Sequence, residues 1–141
     1  MDTNKMIDIL IKNEGIRGKP YRCPAKKLTI GIGRNLDDKG ITDHEALYLC
    51  KNDILECYND LEKIFPGWAS FSDDRHHALI DMRFNLGLAG FLTFKKMIAA
   101  IKKEDWATAA IEAKDSKWFG QVQHSRKHRV ISSLLGGNPP A

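Results

Sequence analysis

Residues 14–34 read EGIRGKPYRCPAKKLTIGIGR, and this stretch decides the fold. It opens on a glutamate at the point where a helical pattern of apolar residues stops. Two prolines and several glycines then divide it into short pieces rich in β-prone residues, above all Leu28–Ile32. Such short runs, bounded by Gly and Pro, are typical of strands joined by tight turns. The stretch therefore predicts a small β-hairpin region that begins directly after a helix.

Upstream of this stretch the sequence predicts one helix. Thr3 can cap it, and it should end near Glu14-Gly15. Its apolar residues recur at three- and four-residue steps: Met6, Ile7, Leu10 and Ile11.

Downstream of the hairpin the sequence predicts only helices. Thr42 and Glu45 form a capping box at the start of a helix of about 22 residues. Pro66-Gly67 ends that helix. The further helices are predicted as a segment capped by Ser72 and closed by Gly87, then Phe91–Ile101, then Trp106–Lys114 capped by Asp105, and last Ser125–Leu135.

These elements indicate an α+β fold in one domain, residues 1–141, with two lobes. The N-lobe covers about residues 15–65 and holds the hairpin. The C-lobe covers about residues 66–141 together with the N-terminal helix, and the long helix joins the lobes. Such an arrangement predicts a cleft between the lobes, which is where substrates usually bind.

Charge is unevenly distributed along the 141 residues. The net charge is +4, and residues 66–141 supply all of it, with 11 Lys and Arg against 7 Asp and Glu. A basic half suggests an anionic partner, either nucleic acid, an acidic membrane surface or an anionic cell-wall polymer. A solvated basic surface explains the same charge.

The chain carries neither a signal-peptide pattern nor a run of 18 apolar residues, so we expect a protein made in the cytoplasm without membrane insertion. It has three cysteines, an odd number, which is typical of a reducing compartment. Cys50 and Cys57 lie seven residues apart, which predicts two small buried residues on one helix face.

Glu14 is the strongest candidate for chemistry. A lone glutamate at a helix end is usually a surface residue. Here, however, the partial negative charge of the helix C terminus disfavours the ionised carboxylate. Partial burial in a cleft would favour the neutral acid further, as a general acid requires.

The same stretch resembles the active-site signature of the phage-type lysozymes, the T-even phage enzyme and its endolysin relatives. In that family a Glu is followed, after eight residues, by Asp or Cys and, after five more, by Thr. Glu14, Cys23 and Thr29 have this spacing. The resemblance continues in order through three further blocks: residues 78–94, Lys117-Trp118-Phe119 and residues 126–131.

The resemblance implies a lysozyme-like fold and hydrolysis of the β-1,4 bond between N-acetylmuramic acid and N-acetylglucosamine in peptidoglycan. Glu14 would protonate the leaving oxygen, while Cys23 and Thr29 organise the opposite face of the sugar. Arg126 falls on the arginine that braces the catalytic glutamate, and Asn85 on a polar residue of the cleft. Trp118 is expected to pack beneath the cleft.

Two residues depart from the best-known member of the family. Cys23 replaces an Asp, which leaves three roles open: the thiol positions the attacking water, it attacks the sugar carbon itself, or it is a loop cysteine without a special role. Arg22, Lys26 and Lys27 lie nearby and would raise its thiolate fraction. Arg34 stands where the family often has His, and it can donate to Glu14 or to a neighbouring acid.

The sequence also bears on cofactors and partners. It has no His-Glu-x-x-His pattern, so neither a metal nor another cofactor is expected. The predicted partner is bacterial peptidoglycan, bound by a monomer that depends on a holin to leave the host cytoplasm and reach the wall. Two alternatives stay open: a lysozyme-like protein that binds glycan without cutting it, and a basic nucleic-acid-binding module.

Overall fold

The computed structural model describes residues 1–116, 120 and 124–136; the tryptophan at position 118 lies outside these residues. The chain divides into two compact units, Met1–Leu49 and Cys50–Ala141. The described elements are α1 (Thr3–Glu14), β1 (Arg17–Arg22), β2 (Leu28–Gly31), β3 (Arg34–Asn35), α2 (Asp43–Ile64), a 3-10 turn (Trp68–Ser70), α3 (Asp73–Leu92), α4 (Lys95–Lys102), α5 (Trp106–Lys114) and α6 (His124–Leu134).

The first unit opens with α1, which begins one residue earlier than the sequence predicted. Asp2 is the N-cap, since its side chain accepts a hydrogen bond from the Lys5 amide at 3.1 Å. Thr3 is instead the first helical residue. The helix ends at Glu14 because Gly15 takes a left-handed φ of 75°, and the Gly15 amide donates to the Ile11 carbonyl.

Three antiparallel strands follow in the order β1-β2-β3. The sequence predicted a small β-hairpin region here, and the third strand extends it. Tyr21 lies opposite Thr29 in the register of β1 and β2. Thr29 also lies opposite Asn35 of β3, so it occupies the middle strand with partners on both sides. Its side chain is buried.

The long helix α2 starts at the predicted capping box. The Glu45 amide donates to the Thr42 hydroxyl at 3.2 Å, and the Thr42 amide donates to the Glu45 carboxylate at 3.0 Å. This reciprocal pair satisfies two amides that have no partner inside the helix. The helix runs for 22 residues, from the first unit into the second, and ends before Pro66.

In the second unit, α3 is capped by Ser72 as predicted, with the Arg75 amide donating to its hydroxyl. Gly87, with a φ of 74°, breaks α3 at the residue predicted as its end, and a second helical piece then continues as far as Leu92. The predicted helix over residues 91–101 is therefore wrong at its start. The chain leaves the helix at Thr93, and α4 begins only at Lys95.

The hydrophobic core of the second unit gathers side chains from each of its described helices. Fully buried Trp68 lies at its centre, with its ring centroid 4.2 Å from that of His76 and 5.8 Å from that of Phe71. The His76 ring nitrogen also lies 2.6 Å from the Trp68 carbonyl oxygen. The other large buried side chains are Phe65, Phe91, Leu61, Leu79, Met82, Met97, Ile101, Leu134 and Val130.

A charged residue of α3 is buried as well. Arg83 of α3 is 8% exposed, and it donates to the Asp60 carboxylate of α2 at 2.8 and 3.0 Å. It also approaches Glu56, one turn earlier on α2, at 3.4 Å. Neighbouring Cys57 is buried as predicted, and burial raises the pKa of its thiol. Cys50 is exposed, so the prediction that both cysteines are buried was wrong for that residue.

We expect Asp60→Asn to destabilise the protein by about 3 kcal/mol, because it leaves the buried Arg83 guanidinium without its main counter-charge. Glu56→Gln is the matched control. The Glu56 side chain is 68% exposed, so its loss should cost less than about 1 kcal/mol. Urea unfolding of the two variants checks this difference. Equal losses would show that the Asp60 pair contributes no more than a surface pair.

The fold class predicted from the sequence is confirmed. The protein is mostly helical with a small three-stranded antiparallel sheet, the α+β arrangement of a lysozyme-like fold. The lobe limits and the single domain remain predictions. Among the described helices none alone combines the length and apolarity needed to cross a membrane; α3 and α4, which meet at a bend of 105°, pass that test only when taken together.

Candidate active site

Glu14 is the last residue of α1, and its carboxyl group lies against the turn between β2 and β3. An ideal Cβ placed on Gly33 would stand 3.1 Å from Cγ, 3.2 Å from Cδ and 3.2 Å from Oε2 of Glu14. Only a residue without a side chain leaves that space free. The Glu14 side chain is exposed, so a carboxyl group lies at the helix end where a substrate can reach it, and the partial burial considered from the sequence is not found.

Cys23 follows β1 directly and begins the turn to β2. The Cys23 amide donates to the Lys27 carbonyl at 3.0 Å, and the Lys26 amide donates to the Cys23 carbonyl at 2.7 Å. Lys26 takes a left-handed φ of 64°, which is uncommon for a residue with a side chain. These contacts fold the turn tightly and bring the thiol next to Thr29 on β2.

The surroundings of Cys23 favour its thiolate. The backbone amide of Lys27 lowers the pKa of the thiol most; burial opposes this in part, and the Ala25 backbone and the Thr29 hydroxyl lower the pKa further. In the structure the same hydroxyl donates to the Lys27 carbonyl at 2.9 Å. Because it has one proton, Thr29 donates to either the carbonyl or the sulfur. Its oxygen keeps lone pairs to accept a hydrogen bond from another molecule in both cases.

Two of the cationic side chains near Cys23 have acidic partners of their own. Arg22 lies 3.4 Å from Asp37, and Lys27 lies 3.3 Å from Asp38. The Asp37 carboxylate also accepts from the Leu28 amide at 2.8 Å. Both aspartates therefore link the turn after β3 to residues 22–28. The prediction of a favoured thiolate has the right direction, but hydrogen bonds from the turn itself are its main cause.

Arg34 donates to the neighbouring acid Glu45 and not to Glu14. Its two terminal nitrogens lie 2.8 and 2.6 Å from the two Glu45 oxygens, and one of them also donates to the Gly40 carbonyl at 3.2 Å. This bidentate ion pair is the geometry in which arginine binds carboxylates most strongly. It joins the first residue of β3 to the first turn of α2 and so fixes the turn that faces Glu14.

The same contacts lower the pKa of Glu45 from its ordinary 4.5 to about 2, with the Arg34 hydrogen bond as the largest cause. A lowered carboxyl pKa stabilises the folded state above the unfolded value, and this stabilisation disappears as pH falls through the folded value. We therefore expect the difference in melting temperature between wild type and Glu45→Gln to be constant above about pH 4.5 and to close towards pH 2. Thermal unfolding followed by circular dichroism measures it.

Asp43→Asn is the control for that experiment, because it removes another negative charge from the same helical turn. A gap between wild type and Glu45→Gln that stays unchanged down to pH 2 would contradict the role assigned to the Arg34 pair.

Two other predicted site residues, Asn85 and Arg126, lie in the second unit. Asn85 is on α3 and is exposed. Arg126 is on α6, with its Nε 3.2 Å from the Asp81 carboxylate of α3. Its predicted role as the brace of Glu14 stays a prediction. In the described part of the chain, no three His, Cys, Asp or Glu side chains come together as a possible metal site.

Three features of the site went unrecognised in the sequence. Glu45 was identified only as a capping residue, and its second role depends on where β3 lies. The Lys27 backbone amide carries no signal in the sequence. Gly33 did carry one, because an isolated glycine near a strand often marks close approach of another group to the backbone.

The site thus combines a carboxylic acid at a helix end with a thiol and a hydroxyl on the adjoining hairpin, and the comparison with known families agrees with it. The chain belongs to the phage lysozyme family, whose family model matches residues 11–131. Glu14, Cys23, Thr29 and Arg34 all lie within the matched region.

Three curated proteins illustrate the relationship. Probable T4-type lysozyme 2 of Dictyostelium discoideum is 31% identical over 96% of this chain and 74% of its own length. Probable T4-type lysozyme 1 of the same organism is 29% identical over 92% and 93%. The pre-baseplate central spike protein Gp5 of Enterobacteria phage T4 is 28% identical over 94% of this chain, which spans only 28% of that longer protein.

Proposed function

We propose that this protein is a muramidase that hydrolyses the β-1,4 bond between N-acetylmuramic acid and N-acetylglucosamine and thereby lyses bacteria. One observation carries the proposal. Within a single compact unit, the Glu14 carboxyl group lies against Gly33, and the adjoining hairpin presents Cys23 beside Thr29. Membership of the phage lysozyme family supports peptidoglycan as the substrate.

Glu14 acts as the general acid in this scheme. Cleavage of a glycosidic bond needs a proton on the leaving oxygen as positive charge develops on the sugar carbon. A carboxyl group at the end of α1 can donate that proton because it is exposed to substrate.

Cys23 and Thr29 then position the water. An attacking water must donate its hydrogens to acceptors so that a lone pair on its oxygen points at the sugar carbon. The Thr29 oxygen is such an acceptor because its own proton is already donated within the turn. The Cys23 thiolate, favoured by the Lys27 amide, is the second acceptor and takes up the proton that water loses.

The proposal is tested with purified peptidoglycan sacculi as the substrate. A muramidase releases reducing sugar ends without releasing free amino groups, whereas an enzyme that cuts the peptide bridges does the reverse. A glycan-binding protein without activity would sediment with the sacculi and release neither. Release of amino groups alone, or of nothing, would contradict the proposed function.

A further inference from the structure

We propose that Gly33 is a positioning residue for Glu14: the turn between β2 and β3 is rigid, and its contact with the Glu14 side chain sets the position of the catalytic carboxyl group. This inference rests on the proposed function and assigns a role within the same site. It starts from the close approach of Glu14 to Gly33, where a single added carbon would stand 3.1–3.2 Å from three side-chain atoms.

These distances of 3.1–3.2 Å are shorter than nearly all contacts that a real Cβ atom makes. Nonbonded carbons are most stable about 3.5–4.0 Å apart, so a methyl group on residue 33 would force one side to move by a few tenths of an ångström. Either the turn or the Glu14 side chain must move to relieve this contact.

The turn between β2 and β3 is the more rigid of the two, because Arg34 anchors it. Arg34 follows Gly33 directly and lies opposite Ile30 in the sheet register. Its guanidinium is bound by both Glu45 oxygens and donates a hydrogen bond to the Gly40 carbonyl. Glu14, by contrast, has a flexible side chain that is exposed. The displacement therefore falls on the carboxyl group that must meet the glycosidic oxygen.

Gly31 provides a matched control two residues earlier. Its φ is +68° and that of Gly33 is +70°, so alanine meets a similar backbone strain at either position. A Cβ on Gly31, however, would have no atom within 4 Å. Comparing the two alanine variants cancels the strain and leaves only the contact with Glu14.

The test measures kcat and KM of wild type, Gly33→Ala and Gly31→Ala on soluble, uncross-linked glycan strands, together with the melting temperature of each. We expect both variants to melt at similarly lowered temperatures. Gly33→Ala should lose about tenfold in kcat with little change in KM, because a small misplacement of a catalytic group is costly. Gly31→Ala should stay within about twofold of wild type. Equal losses in both variants, or none in Gly33→Ala, would overturn the inference.

A second measurement does not depend on activity. With ¹³C-labelled glutamate, the carboxyl resonance of Glu14 should shift in Gly33→Ala and stay in place in Gly31→Ala. In the wild-type protein, the Hα protons of Gly33 should show nuclear Overhauser effects to the Hγ protons of Glu14.

The two measurements separate the two proposals. A wild type that cleaves no glycan refutes the proposed function, while the resonances still decide whether Gly33 sets the position of Glu14. Absence of the Overhauser effects in wild type, or equal resonance shifts in both variants, would overturn the positioning role. The wild-type spectrum keeps this test valid even where Gly33→Ala does not fold.

Discussion

Glu14→Gln is expected to fold like wild type and to lose at least about two orders of magnitude in lytic rate, because general acid catalysis contributes about 10²–10⁴ in rate. Glutamine keeps the size of the side chain and its packing against Gly33 but cannot deliver the proton to the leaving oxygen. The decrease in turbidity of outer-membrane-permeabilised bacteria measures the effect, with circular dichroism as the check on folding.

Asp8→Asn is the matched control for this loss. Asp8 lies on the same helix, is exposed, and loses the same unit of charge when it becomes an amide. This control should keep essentially full activity. If Glu14→Gln retained more than about a tenth of the wild-type rate, the assignment of Glu14 as the acid would be wrong.

The second large effect is expected at Cys23. If its sulfur accepts a hydrogen bond from the attacking water, Cys23→Asp should keep much of the activity, because a carboxylate does the same work. Cys23→Ala should lose on the order of 10² in kcat, the usual contribution of a group that accepts a proton in the transition state. Cys23→Ser, close in size but neutral, should resemble Ala more than Asp.

The configuration of the product separates the two catalytic roles left open for Cys23. Attack by water held on the far side of the sugar inverts the anomeric carbon, so the β-linked substrate should give the α-anomer first. Attack by the sulfur would form a bond between sugar and sulfur, and water would then release the β-anomer. Proton NMR of the first product, read before mutarotation, gives the answer. A β-anomer would contradict the water-positioning role.

Elements that depend on neighbouring residues could be predicted from the sequence. The capping box of Thr42 and Glu45, the Ser72 cap and the hairpin between residues 17 and 31 all formed as predicted, because each rests on contacts within a few residues. The cap of α1 was placed one residue too late. Asp2 and Thr3 are both good caps, and sequence spacing does not separate adjacent candidates.

Contacts between distant elements could not be predicted in the same way. The sequence left Arg34 with a choice between Glu14 and another acid, and only the position of β3 relative to α2 selects Glu45. Gly87 breaks α3 at the residue that the sequence predicted as a helix end, but the short helical piece that follows it to Leu92 was not predicted. The spacing of Glu14, Cys23 and Thr29 made them candidates, and their roles stay predictions. The Cys23 hydrogen bonds emerge only from the fold, whereas the Gly33 contact had the weak signal of a glycine near a strand.

The central claim is that the protein cuts the bond on the reducing side of N-acetylmuramic acid. Sacculi are digested with the purified protein, the new reducing ends are converted to sugar alcohols with borohydride, and the fragments are identified by mass spectrometry. We expect the alcohol of N-acetylmuramic acid at the new ends, and its absence from a parallel digest with Glu14→Gln. Reduced N-acetylglucosamine, anhydro-muramic ends or fragments cut only in their peptides would contradict the account.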